Sequence, residues 1–313
     1  MDIISIGETL IDFIPGDQPG LYIRNPGGGP ANSAVAMARN GCDVGLYTRL
    51  GNDDFGRFLK ETLADFGVKL LTPELTDKAI TTLAFVTLYE DGERSFTFAR
   101  KPGADMLLEP EDIKDDDLMA AKLICASSVS LSAEPVASAV RHCLKRAHEL
   151  GKLVAFDINY RDNIWNNDID GCAKAVRELL PYIDFLKVSE EEVGMIGGEE
   201  CFDETMETYG LAAIIETLGA DGAVCRFKGE SIRVEGRKVK AVDATGAGDA
   251  FWGGFLSQLI HNGVRSTGDL TAERIRESLN YGNIAGSCCV GTKGGMTSLP
   301  TRAEIEALLG AMA

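Results

Sequence analysis

The 313 residues predict an α/β protein: a three-layer α/β/α sandwich carrying a small β-sheet lid. Two observations lead there. Short aliphatic runs alternate with segments of helical period, the rhythm of βαβ units and a parallel sheet covered on both faces. Two other stretches break that rhythm with extended runs and turn signals. At this length one large domain is expected over residues 1–313, with lid excursions at about 10–25 and 81–105.

In chain order, Met1 to Gly7 reads as a first strand that starts almost at once. Leu10 to Ile23 reads as a β excursion around Pro15-Gly16-Asp17. Thr81 to Tyr89 and Glu93 to Phe98 read as a hairpin joined at Asp91-Gly92. Lys122 to Cys125, Leu153 to Asp157, Phe185 to Val188 and Ala212 to Thr217 read as strands of the main sheet, with Glu134 to Leu150 a helix among them. A further strand is expected from Lys238 to Val242 and an apolar helix from Asp249 to Ile260. The unpaired edge or apolar face of a lid sheet predicts a homodimer formed through it.

A net charge of −17 argues against binding nucleic acid or an anionic membrane, since both need a basic face. No stretch approaches the roughly 20 apolar residues of a membrane helix, and the N-terminus has no basic region or cleavage site, so a cytoplasmic protein is expected. The eight cysteines form no C-x-x-C pair and read as reduced core residues, the adjacent Cys288 and Cys289 included.

The chemistry concentrates in Asp243-Ala244-Thr245-Gly246-Ala247-Gly248-Asp249, which opens the apolar helix. Glycines before a helix expose backbone N–H groups to an anion, and the helix dipole favours negative charge there. No Gly-Lys-Ser/Thr follows, and the G-x-G-x-x-G order of a dinucleotide site is missing. A carboxylate in that first turn repels bound phosphate, so Asp249 fits best as the base that takes a proton from an attacking hydroxyl. As a lone aspartate it would serve only as a cap.

This stretch resembles the C-terminal signature of the ribokinase family of sugar and nucleoside kinases. Gly27-Gly28-Gly29-Pro30-Ala31-Asn32 resembles the family's other signature, and the likeness runs from Ile3 to about Pro300. It implies ATP with Mg²⁺, often a monovalent cation such as K⁺, and a sugar hydroxyl as acceptor. It implies an anion hole of the Gly246, Ala247 and Gly248 amides beside the base Asp249. On the sugar side it implies Asp12, whose carboxylate suits two adjacent hydroxyls, with Gly28, Gly29 and Asn32, where glycines permit close approach. A turn aspartate is the plainer reading of Asp12.

Gly92 to Leu108, and Phe156-Asp157-Ile158-Asn159-Tyr160-Arg161 with Trp165, are similar to the fructokinase branch, so D-fructose to fructose 6-phosphate is the first expectation. Aminoimidazole riboside kinase, ketodeoxygluconate kinase and a catalytically silent sugar-binding regulator stay open. Phe96 would pack on the sugar, and Arg100 and Arg161 would meet hydroxyls or phosphate, or else pair with acids. On the nucleotide side the resemblance points to Ser189, Thr217, Gly219, Gly222, Thr245 and Asn283, although Gly282 and Gly286 also suit close helix packing. Where the family has Asn-x-x-Glu this chain has Ser189-Glu190-Glu191-Glu192, also a helix capping box; Glu192 is the candidate for Mg²⁺ waters. Asp243, with Thr245, Gly294 and Ser298, is the candidate monovalent-cation group.

Overall fold

A computed structural model describes residues 1–18, 20–88, 94–292 and 294–310. The strands are β1 (Ile3–Ile6), β2 (Leu10–Pro15), β3 (Tyr22–Gly27), β4 (Val44–Tyr47), β5 (Val68–Leu70), β6 (Leu83–Leu88), β7 (Arg94–Ala99), β8 (Leu123–Ser127), β9 (Leu153–Asp157), β10 (Phe185–Ser189), β11 (Ala213–Thr217), β12 (Gly222–Phe227) and β13 (Glu230–Glu235). The helices are α1 (Gly29–Arg39), α2 (Asp54–Asp65), α3 (Asp115–Ala120), α4 (Val136–Glu149), α5 (Asp162–Trp165), α6 (Ile169–Arg177), α7 (Phe202–Tyr209), α8 (Ala247–His261), α9 (Ala272–Val290) and α10 (Arg302–Gly310).

Nine strands form the main sheet in the order β13-β12-β11-β10-β9-β8-β1-β4-β5. Pairing is parallel from β11 to β5, and β12 and β13 close the edge as an antiparallel hairpin. Strand alternation divides the core in two. Ile3, Cys125, Ala155 and Phe185 face Trp252, Phe255 and Ile284 of α8 and α9, whereas Ile4, Ile124, Phe156 and Leu186 face Val140 and Leu144 of α4 and Val176 of α6. A sheet buried on both faces explains why these strands read as continuous apolar runs.

The chain leaves β1 toward β4 and β5, then returns to lay β8 on the other side of β1. The order therefore reverses between β1 and β8, and a crevice opens beyond their carboxyl ends, where ligands bind in open α/β sheets.

The lid is a separate four-stranded sheet, β3-β2-β6-β7, assembled from the two expected excursions. The Asp91-Gly92 turn lies outside the described residues. Phe13 and Phe85 stack at 5.0 Å on this sheet, while Leu21, Tyr22, Ile23 and Phe96 are exposed.

One strand expected from sequence is absent: residues 238–242 are irregular. The main sheet ends at β13, and Lys238 to Val242 does not add to that edge: the chain crosses toward α9 instead, where the Val242 amide donates to Val290 O at 2.9 Å. Val239 and Val242 are consequently exposed.

Candidate active site

Gly246, at φ +80°, turns the chain into α8 without a side-chain cap, leaving the helix N-terminus open. Asp249 sits in the first turn of α8 and is buried. Its Oδ2 accepts a 2.8 Å hydrogen bond from Asn32 Nδ2 on α1, which draws the two signature segments into one place. The Ala247 amide also donates to Ala244 O at 3.2 Å, so the turn shares it with any anion.

The first turn of α1 is fixed from below. Gly28, at φ +108°, passes so close to the segment between β1 and β2 that a Cβ there would lie 2.5 Å from Glu8 O. The Gly29 amide donates to Glu8 Oε1 at 3.1 Å, and Ser130 Oγ donates to Glu8 Oε2 at 2.9 Å. Glu8 is fully enclosed, and burial pushes its carboxyl up to about 7. Asn32 Oδ1 is buried without a hydrogen-bond partner, an acceptor free to meet a ligand hydroxyl.

Asp12 lies on β2, inside a strand and not at a turn, and its carboxylate fills the space that a side chain at Gly27 would need, 2.0 Å from the Cβ position. Desolvation and the nearby Asp249 raise its pKa to about 7, against the pull of Arg161. Asp249 is raised to about 6 by desolvation, then moderated by the Asn32 bond; Asp157 raises it further, and Arg161 and Lys187 lower it. Asp249 thus lies near enough to Asp12 for its charge to oppose ionisation there.

The remaining sugar-side residues divide. Arg161 is exposed at this mouth, bonded to Tyr160 O at 2.8 Å. Arg100 is buried and committed to Asp105, with bonds of 2.9 and 2.7 Å and a third of 3.2 Å to Ser132. Arg100, expected to meet sugar hydroxyls or phosphate, is instead paired with an acid, as in the competing reading, but with one that is buried and not on the surface. Phe96 is exposed on the lid beside Phe98, 6.1 Å between centroids.

The nucleotide-side candidates line the neighbouring strand ends. Thr217 Oγ1 donates to Val188 O at 3.3 Å. Gly222, at φ +99°, could not bear a side chain beside Val234 O. Gly219, at φ +51°, opens the turn before it. Asn283 Nδ2 donates to Val234 O at 3.1 Å, tying α9 to β13. Gly282 and Gly286 pack against Phe251 and Ala247 O, in keeping with the close-packing reading of this helix.

Glu192 is buried, and both its oxygens are occupied: Tyr160 N donates at 2.7 Å and Ser189 N at 2.8 Å. No α-helix follows Ser189, and its hydroxyl caps nothing there, so the capping box is only half made. Among the described residues no cluster of three acidic, His or Cys side chains could hold a metal alone.

Asp243 Oδ1 accepts from Thr245 N and Oγ1 at 3.0 and 2.7 Å, and Oδ2 from Gly294 N at 3.3 Å. Ser298 Oγ bonds Gly294 O and Gly295 O, and the Cys289 thiol meets Thr245 O at 3.4 Å. All four proposed cation residues therefore meet in one oxygen-rich corner behind the glycine turn. Burial raises the Cys289 thiol to about 11, and the eight cysteines are free.

Three residues with evident parts in this site had no role assigned from sequence: Glu8, Asp157 and Lys187. The available signal was an ionisable residue inside an apolar strand or at its end, where burial is costly unless the group is paired.

An open helix N-terminus with a buried carboxylate, facing a second carboxylate across a lidded crevice, is the arrangement of a phosphotransferase acting on hydroxyl groups. Residues 1–302 match the model of the pfkB family carbohydrate kinases, and the chain belongs to that family. A probable fructokinase-4 of Arabidopsis thaliana is 38% identical, covering 98% of this chain and 96% of its own. A fructokinase from Xylella fastidiosa solved with bound ATP superposes with a TM-score of 0.90 at 29% identity, covering 99% and 98% of the two chains. A fructokinase from Vibrio cholerae O395, solved with fructose, ADP and calcium ion, gives 0.87 at 32% identity over 98% of each chain. The α/β sandwich with its β lid is thus the fold expected from the resemblance.

Proposed function

We propose that this carbohydrate kinase transfers the γ-phosphoryl group of ATP to a hydroxyl of D-fructose, giving fructose 6-phosphate and ADP. The observation that carries the reading is the Asn32 to Asp249 hydrogen bond, which places a buried carboxylate between the lidded crevice and the open end of α8. The relatives named fructokinase support the choice of sugar.

In this reading the sugar lies against Asp12, Gly28, Gly29 and Asn32, with Phe96 and Arg161 at its rim. Arg100 orders the lid return through Asp105. Asp249 removes the proton of the attacking oxygen; that oxygen bonds to Pγ as the bond from Pγ to the bridging oxygen of ADP breaks. The amides of Gly246, Ala247 and Gly248 hold the charge on the transferred group.

ATP runs from that turn past Thr245 toward Ser189, Thr217, Gly219, Gly222 and Asn283. Glu192 would face the waters of a Mg²⁺ ion, which would supply positive charge against the phosphates, and Asp243, Thr245, Gly294 and Ser298 would hold K⁺. Lid closure excludes water, and the exposed Leu21, Tyr22 and Ile23 suit a homodimer. No helix among the described residues is long and apolar enough to cross a membrane.

The test is ADP release across fructose, ribosides including aminoimidazole riboside, and ketodeoxygluconate. The reading requires kcat/KM highest for fructose. A preference for a riboside or a keto acid overturns the sugar assignment, and sugar binding without ADP release overturns the enzyme reading.

A further inference from the structure

Lys187 is out of place in its own strand. β10 is otherwise apolar through Val188, yet Lys187 is 5% exposed and its neighbour in register on β9, Asp157, is 4% exposed. Lys187 Nζ donates to both Asp157 oxygens at 2.9 Å. A buried ion pair offers little net stability by itself, because desolvating two charges costs about what their attraction returns. The position of the pair supplies another reason for keeping it.

An ammonium has three protons. Among the described residues the hydrogen-bond partners of Lys187 Nζ are the two oxygens of Asp157 alone. Strand alternation turns its side chain to the face covered by α1 and α8, and Nζ lies 3.8 Å from the position a Cβ would occupy on Gly248. The ammonium thus sits next to Gly248 of the glycine turn, with donor capacity left over after its two bonds to Asp157.

From this geometry we infer that Lys187 is a catalytic cation: it contacts the transferred phosphoryl group from below the Gly246 to Gly248 turn, and Asp157 holds it there. Asp157, Glu192 and Asp249 keep the amine protonated against the opposing effect of burial. A fixed positive charge in a water-poor site acts most strongly on charge that develops during transfer, so its effect falls on kcat. The inference rests on the phosphotransfer reading above.

Four variants separate this from a structural ion pair: Lys187→Met, Lys187→Arg, Asp157→Asn, and the double change Lys187→Met with Asp157→Asn. The double variant leaves no buried charge unpaired, so it is expected to fold. Its kcat should fall at least ~100-fold with the fructose KM changed by no more than about threefold. Lys187→Arg should recover much of the loss. A double variant with kcat within about threefold of wild type overturns the proposal.

A measurement on the unmodified protein needs neither a variant nor turnover. The Nζ resonance of isotopically labelled Lys187 should shift when MgADP with aluminium fluoride is added, and not with adenosine. No difference between the two additions overturns the contact, whatever the sugar panel shows. If the wild type releases no ADP with any sugar, the phosphotransfer reading fails while the resonance still decides whether Lys187 meets a phosphoryl mimic.

Discussion

Asn32 Nδ2 lies 2.8 Å from Asp249 Oδ2, joining two residues 217 positions apart in sequence. A hydrogen bond to the charged form of a carboxylate favours ionisation. It partly offsets the burial that raises Asp249 to about 6. The proposed base is thereby left ionised at neutral pH, yet basic enough to take a proton.

Asn32→Ala should therefore do more than weaken sugar binding. Without the donor, the Asp249 pKa rises and the acid limb of kcat/KM moves to higher pH by about half a unit or more, with kcat down roughly tenfold. A pH profile unchanged in position, with only KM altered, would confine Asn32 to the sugar.

The wild-type profile should itself be unusual for a carboxylate enzyme. Asp249 must be deprotonated to act, and Asp12 accepts sugar hydroxyls best when charged, so activity falls as pH drops through about 7 to 6. An ordinary carboxylate would hold activity down to about pH 4. Initial rates between pH 5 and 8 at fixed ionic strength distinguish these.

The same raised pKa values predict a stability cost. For Glu8, Asp12 and Asp249 the folded-state pKa exceeds the unfolded one. The folded state therefore holds their protons more tightly. Their favourable contribution is complete below about pH 4 and is lost as pH rises through about 6 to 7. Asp12→Asn should then raise the thermal midpoint of the ligand-free protein at pH 8 by about 2–5 °C while lowering fructose affinity at least about tenfold. An unchanged or lower midpoint would contradict the reading.

Gly28 admits no side chain. Its φ is +108°, and a Cβ would press on Glu8 O at 2.5 Å. Gly28→Ala should cost about 2–4 kcal/mol and disturb the first turn of α1, raising the fructose KM. Denaturant unfolding with parallel kinetics checks both effects.

Much of this was legible because local rules agreed with the fold. Phe185 to Val188 reads as a buried strand whichever partner it has, and Gly246-Ala247-Gly248 before an apolar helix reads as an anion turn from its own residues. Residues 238–242 failed because a β-rich composition says nothing about where the backbone is tied, and here the Val242 amide is tied to Val290 on α9. Lys187 and Glu8 passed without a role because what they do depends on neighbours far off in sequence: Lys187 on Asp157 and Gly248, Glu8 on Gly29 and Ser130. Arg100 shows the reverse error, since a basic residue on a lid return suggests a ligand until Asp105 is seen to occupy it.

The central claim, that Asp249 takes the proton during phosphoryl transfer, is tested most directly by single-turnover phosphorylation of fructose by Asp249→Asn. Asparagine keeps the shape and the contact with Asn32 but cannot accept that proton. The account predicts a rate lower by about 10²–10⁴ with ATP affinity largely kept; a rate within about threefold of wild type would contradict it.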